Sequence, residues 1–140
     1  MSRADFYTLE KKKITIYSDF LTTFDVNPTT GNLAVNTNEN AVKRSLRNLI
    51  LTNVGERLYD SRKGTKVRGS LFELFDPVTL EVMRMQITQS INAYEPRANP
   101  FTVQIVDDIE RDAIRIRISF QVINIISPPV SFDVFVQKVR

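Results

Sequence analysis

From Ala113 to Val122 the chain alternates with period two: Ile114, Ile116, Ile118, Phe120 and Val122 face one way, and Arg115, Arg117, Ser119 and Gln121 face the other. Successive side chains on a strand leave opposite faces, so this run predicts an antiparallel strand with one face buried and one in water. The phase breaks at Val122-Ile123, which predicts a bulge or a sheet twist. Two shorter patterns flank it. Phe101, Val103 and Ile105 alternate with Thr102 and Gln104 ahead of a polar turn from Asp107 to about Asp112. After the stiff Ser127-Pro128-Pro129 break, Phe132, Val134 and Val136 form the inner face of a last strand. Phe135 and Val139 point the other way, so both faces of that strand carry apolar side chains. The expectation is either a cover over its second face or a sheet edge open to a strand from another subunit.

Upstream the period changes to that of a helix. Val42, Leu46, Leu49 and Ile50 make one apolar stripe, with Asn38 or Asn40 as cap and Gly55 as stop. A second helix starts at Asp76 as N-cap and Pro77 in its first turn, and buries Leu80, Met83, Ile87, Ile91 and Tyr94. Pro96 ends it, because a proline disfavours helical geometry at the residue before it. Between the helices lies a basic loop, 56–70, pinned by Leu71-Phe72-Glu73-Leu74-Phe75. Lys13 to Tyr17 reads as a short strand, and residues 18–38 as irregular, extended chain that wraps the domain or meets a partner. The fold class is α+β: a small antiparallel sheet packed against two main helices, with an extended N-terminal segment (1–38) before an α+β core (39–140). At 140 residues this is one domain, large enough to bury its own core.

Composition narrows the chemistry. The chain has no Cys, no His and no Trp. Thiolate chemistry, Ser-His-Asp catalysis and the usual zinc sites are therefore excluded, leaving carboxylates, Lys, Tyr and hydroxyls. The N-terminus is charged where a signal peptide is apolar, and no run approaches the length of a membrane span. The net charge of +3 is uneven: residues 1–70 hold twelve Lys and Arg against seven Asp and Glu, and residues 71–140 hold seven against nine. The densest window, Lys43 to Arg68, suits a solvated face or an acidic protein partner. It lacks the interleaved aromatics and glycine-rich cradle of a nucleic-acid site.

Glycoside hydrolysis needs two carboxyl groups, one with a raised pKa. Glu56, Asp60, Glu73, Glu81 and Glu95 are the candidates, none accompanied by a sugar-stacking aromatic signature. Asp107, Asp108, Glu110 and Asp112 cluster in a turn without the spacing of a calcium loop. No cofactor is expected. Glu95-Pro96-Arg97 is the most distinctive local pattern: in extended chain both charged side chains leave the same face. Such a pair either stabilises the corner between helix and strand or bridges to complementary charges on a partner.

Together these pieces resemble a known family. Asn48 to Arg57 is similar to its L-x-T-x-x-G-E-R segment, with Gly55, Glu56 and Arg57 as the G-E-R. Gly64 and Leu71-Phe72-Glu73 follow as its G…L-F-E, and Glu95, Pro96 and Arg97 stand where it carries E-P-R. Asp19-Phe20 and Thr30 to Ala34 also resemble its N-terminal part. The family is the baseplate wedge, or sheath-initiator, family of contractile-tailed phages and type VI secretion baseplates, often labelled lysozyme-like. The resemblance implies a structural protein of the virion tail baseplate, made in the host cytoplasm, with no catalytic residues, metal, nucleic acid or membrane partner. It implies wedge anchoring through Glu95, Pro96 and Arg97, and a sheet edge, here Phe132, Val134, Phe135 and Val136, on which the first sheath ring forms. Its implied partners are other wedge proteins, the tail sheath protein and the tail tube or tube-initiator proteins. The alternative is a peptidoglycan-cleaving glycosidase of the tail.

Overall fold

The computed structural model describes residues 14–73 and 76–137. In chain order the elements are β1 (Ser18–Phe20), β2 (Val35–Thr37), α1 (Asn38–Leu51), α2 (Val67–Ser70), α3 (Pro77–Tyr94), β3 (Ala98–Asp108), a 3-10 turn (Ile109–Arg111), β4 (Ala113–Val122) and β5 (Val130–Gln137). β3, β4 and β5 form an antiparallel sheet in that order, and β1 pairs antiparallel with β2 in a separate ribbon. The architecture is the expected α+β one, with α1 and α3 on one face of the three-stranded sheet.

The alternation of β4 translates directly into packing. Ile114, Ile116, Ile118, Phe120 and Val122 are all buried, beside Val103 and Ile105 of β3 and Phe132, Val134 and Val136 of β5. Each large side chain buried this way contributes about 1.5–3 kcal/mol relative to exposure. Phe120 and Phe132 meet edge to face, with ring centroids 5.9 Å apart. Phe101 departs from the expected alternation. The register slips between Pro100 and Thr102, so Phe101 has no partner on β4 and is more than half exposed. At Val122-Ile123 there is no bulge: β4 ends there, and Asn124 turns the chain at φ +67.

α3 matches the sequence reading from its cap onward. Asp76 accepts the Thr79 amide at 2.6 Å, Pro77 opens the helix, and Met83, Ile87 and Ile91 are buried, with Leu80 and Tyr94 packed against the core. α1 buries Val42, Leu46, Leu49 and Ile50, but its ends differ from expectation. Thr37 holds the N-cap position, and Asn38 is buried with φ +49, a left-handed conformation that Asn tolerates. Its side chain serves the N-terminal segment instead: Oδ1 accepts from the Ile16 and Tyr17 amides at 2.9 and 3.3 Å, and Nδ2 donates to the Ile14 carbonyl at 2.8 Å. Ile14 to Tyr17 is therefore bonded to a side chain and forms no strand; the strand begins at Ser18. α1 stops at Leu51, where the Thr52 amide and hydroxyl both donate to the Asn48 carbonyl. Gly55 lies beyond, in the turn that follows.

The basic loop contains the short helix α2. Of the apolar segment expected to pin it, Leu71 is buried and Phe72 is exposed, and Leu74-Phe75 lies outside the described residues. So do Lys13 and Val139. No helix among the described residues is long and apolar enough to cross a membrane.

Candidate functional site

The corner between α3 and β3 is a tight turn. Pro96 follows the last helical residues, and the Ala98 amide donates to the Glu95 carbonyl at 3.1 Å, closing a four-residue turn with proline in its second position. This turn, and not an extended segment, brings the two charged side chains together. Arg97 Nε donates to Glu95 Oε1 at 2.6 Å and Nη2 to Oε2 at 2.9 Å, a bidentate fork. The other side of the guanidinium meets Asp19 of β1: Nη1 lies 3.2 and 3.1 Å from its two oxygens, and Nη2 3.1 Å from Oδ2. Ser45, on α1, donates its hydroxyl to Glu95 Oε2. Arg97 also lies over the Tyr17 ring, 5.6 Å from its centroid, and Tyr17 donates to the Ile123 carbonyl at 3.1 Å. Three stretches of chain, residues 17–19, α1 and the turn itself, converge on one guanidinium–carboxylate pair.

Glu95 is the only buried charged side chain among the described residues, at 3% exposure. Burial pushes its carboxyl up, but the hydrogen bonds from Arg97 and Ser45 and the charge of Arg97 outweigh it, and the net shift is downward. Arg97 is pushed further above its ordinary range, first by its hydrogen bonds to Glu95, against burial, and then by the charges of Glu95 and Asp19. Glu95 is thus an ionised carboxylate locked in a salt bridge. The stabilising reading of Glu95-Pro96-Arg97 is realised in the geometry.

The loop after α1 carries Gly55, Glu56 and Arg57. Gly55 has φ +93 and donates its amide to Ser61 at 2.7 Å, while Glu56 Oε2 accepts the Asn53 amide at 2.8 Å. Arg57 is exposed and enters no ion pair with a described residue. Where the loop returns, Asn53 and Thr65 form a parallel bridge. Gly64 sits at φ +143 against α1's end, where a Cβ would lie 2.7 Å from the Thr52 carbonyl oxygen. No hydrogen bond joins this loop to the Glu95–Arg97 corner.

β5 is an edge. It pairs with β4 without irregularity from Val130–Phe120 to Gln137–Ala113, and no described strand lies on its other side. Phe132, Val134 and Val136 are buried beneath it, and Phe135 is 41% exposed on the opposite face with the Arg111 guanidinium 4.9 Å from its ring centroid. Asp133 on that face is paired with Arg117 at 2.7 and 3.0 Å. The opposite edge, β3, carries Pro100 and the Phe101 irregularity, both features that discourage further pairing. Among the described residues no group of carboxylates is placed to hold a metal ion.

The profile of the baseplate wedge protein gp25 family matches residues 36–125, well over half of the chain. The chain belongs to the baseplate wedge gp25 family. Baseplate wedge protein gp25 of Enterobacteria phage T4 is 29% identical over 84 residues, which cover 60% of this chain and 64% of the phage protein, so the match spans less than two thirds of that relative's length. A chain of the anti-feeding prophage (AFP) baseplate, solved by cryo-electron microscopy, is 28% identical with a TM-score of 0.67, covering 79% of this chain and 89% of that one. A Geobacter sulfurreducens protein provisionally assigned as a tail lysozyme has the same fold at 17% identity and a TM-score of 0.60, over 71% of this chain and 91% of that one.

The gp25 match contains Ser45, the Gly55–Arg57 loop and the whole Glu95–Arg97 turn, and it stops before β5. Ser45, Tyr17 and the pairing of Asp19 were missed as partners of the corner. The available signals were slight: Ser45 follows buried Ala41 by one helical turn, beside the apolar stripe, and Asp19 stood in the upstream segment that resembled the family.

Proposed function

We propose that this wedge-family protein is a structural component of a contractile-tail baseplate, located in the virion tail, that seeds sheath assembly through the outer edge of β5. The observation that carries the reading is the contrast between two sheet edges. β5 offers eight residues in unbroken register with no described strand on its outer side, whereas β3 is interrupted at Pro100 and Phe101. An open, regular edge is the chemistry required for addition of a sheath subunit's strand. The printed roles of the relatives, wedge and baseplate proteins, support the setting.

Glu95, Pro96 and Arg97 anchor the protein to neighbouring wedge proteins in this reading, by holding β1, α1 and the start of β3 in one rigid corner. Asp19 and the outer side of Arg97, 41% and 25% exposed, are the charged groups presented there. Catalysis is not part of the proposal. A glycosidase needs a carboxyl held protonated near neutral pH, and the one buried carboxyl described is shifted the opposite way. The proline variants Phe135→Pro and Val136→Pro test the edge. Neighbouring residues on an edge strand point their amides alternately inward and outward, so only one of the two removes an outward N–H. The variant that loses the outward N–H is expected to enter baseplates and to yield tubes without sheath by electron microscopy; normal sheaths from it would reject the β5 edge.

A further inference from the structure

The loop between Gly55 and Gly64 leaves Leu58 and Tyr59 fully exposed, at 95% and 102% of the reference surface of each residue, although the loop itself is firmly tied. Its base is closed by the Gly55 amide on Ser61 at 2.7 Å, the Asn53 amide on Glu56 Oε2 at 2.8 Å, the Lys63 amide on Asp60 at 3.1 Å and the Thr65 amide on Thr52 at 2.9 Å. Ser90 of α3 adds a hydrogen bond to the Gly64 carbonyl at 3.0 Å. A loop that gains nothing from its own apolar side chains, yet is ordered by its backbone, holds them in place for something else. Arg57, Arg62, Lys63, Lys66 and Arg68 lie along the same stretch, against only Glu56 and Asp60, and none of the five forms an ion pair with a described residue.

We propose that Leu58 and Tyr59 form an anchoring knob that inserts into an apolar pocket with an acidic rim on another protein of the assembled baseplate. Leu58 and the Tyr59 ring supply the apolar contact, the Tyr59 hydroxyl a hydrogen bond, and the surrounding cations the match to the rim. The Gly55-Glu56-Arg57 motif acquires a role: Gly55 and Glu56 fix the loop's base and Arg57 begins its charged collar. The surface is distinct from β5 and from the Glu95–Arg97 corner. The inference rests on the chain being a baseplate component.

The test places a photo-crosslinking residue at the knob, Tyr59→p-benzoylphenylalanine, in particles assembled with the full chain. Irradiation is expected to give one adduct, mapping to a segment of another baseplate protein that holds Asp or Glu beside apolar residues. The double variant Leu58→Asp/Tyr59→Asp, at positions too exposed to disturb folding, is expected to lower the chain's occupancy in baseplates at least tenfold, with an unchanged thermal midpoint of the purified protein. No adduct in particles that contain the chain, an adduct to a second copy of it, or undiminished occupancy of the double variant would overturn the knob while leaving baseplate membership intact. Absence of the wild-type chain from baseplates would instead overturn the reading beneath it. Binding of the purified chain to phosphatidylserine-containing vesicles that the double variant loses would assign the knob to a lipid surface and overturn the protein partner.

Discussion

Arg97 grips Glu95 through two parallel hydrogen bonds, 2.6 and 2.9 Å long, while its remaining N–H groups face Asp19 on a strand that precedes it by 78 residues. The corner is therefore a long-range clamp built on a local pair. Its energetics follow from burial: Glu95 is screened from water on nearly every side, and among the described residues Arg97 is its only cation. Removing one partner of a buried pair costs more than the pair itself contributes, because it strands the other charge.

Arg97→Ala is expected to destabilise the protein by about 3–5 kcal/mol, and Arg97→Lys by less, since an ammonium cannot reproduce the fork. Urea unfolding of the two variants beside wild type checks the order. A loss under about 1 kcal/mol for Arg97→Ala would mean that the pair behaves as an exposed one.

The same pair sets an acid limit. The Glu95 carboxyl is depressed in the fold below its ordinary value of 4.5, so the unfolded chain takes up its proton first as the pH falls. Its contribution is fully present above the unfolded value and is lost as the pH drops through the folded one. Asp133, lowered mainly by its hydrogen bonds from Arg117, acts in the same direction. Urea midpoints are expected to be level from pH 7 to about 5 and to fall below about 4.5, with a shallower acid slope in Glu95→Gln.

Three glycines separate strain from space. Gly64→Ala combines φ +143 with a backbone oxygen 2.7 Å from the new Cβ, and is expected to cost more than about 2 kcal/mol. Gly55→Ala, at φ +93 in open space, should cost about 1 kcal/mol, and Gly69→Ala, in α2 with nothing near, should be neutral or stabilise by up to about 1 kcal/mol. Thermal unfolding of the three variants gives the ranking; equal losses would contradict it.

Asn38→Ala removes three hydrogen bonds to Ile14, Ile16 and Tyr17 from a residue already in left-handed geometry. It is expected to destabilise by about 2–3 kcal/mol and to release the Ile16 and Tyr17 amides to fast hydrogen exchange. Protection unchanged from wild type would show that β1–β2 pairing alone holds this segment.

The parts of the fold legible in sequence were those set by local period and punctuation: the β4 alternation, the α1 stripe, and the Asp76-Pro77 start and Pro96 end of α3. The parts misread depended on contacts between distant residues. Asn38 looked like a cap but bonds a segment 21 to 24 residues upstream, and Phe101 looked like a core position until the register slip turned it outward. The candidate site divided in the same way. Glu95 and Arg97 were visible as a local pair, whereas Asp19 and Ser45 reach them from 78 and 50 residues away, separations that no spacing rule addresses. Both readings of the last strand, a covered second face or an open edge, agree with burial of Phe132, Val134 and Val136, and among the described strands the order β3-β4-β5 places it at an edge.

The central claim is that β5 receives the first sheath strand. Cryo-electron microscopy of the junction between baseplate and sheath, in particles carrying this chain, reads it directly. The account predicts a strand from a sheath subunit hydrogen-bonded along the outer edge of Val130–Gln137, extending the β3–β4–β5 sheet. A sheath docked elsewhere on the chain, with that edge in solvent, would contradict it.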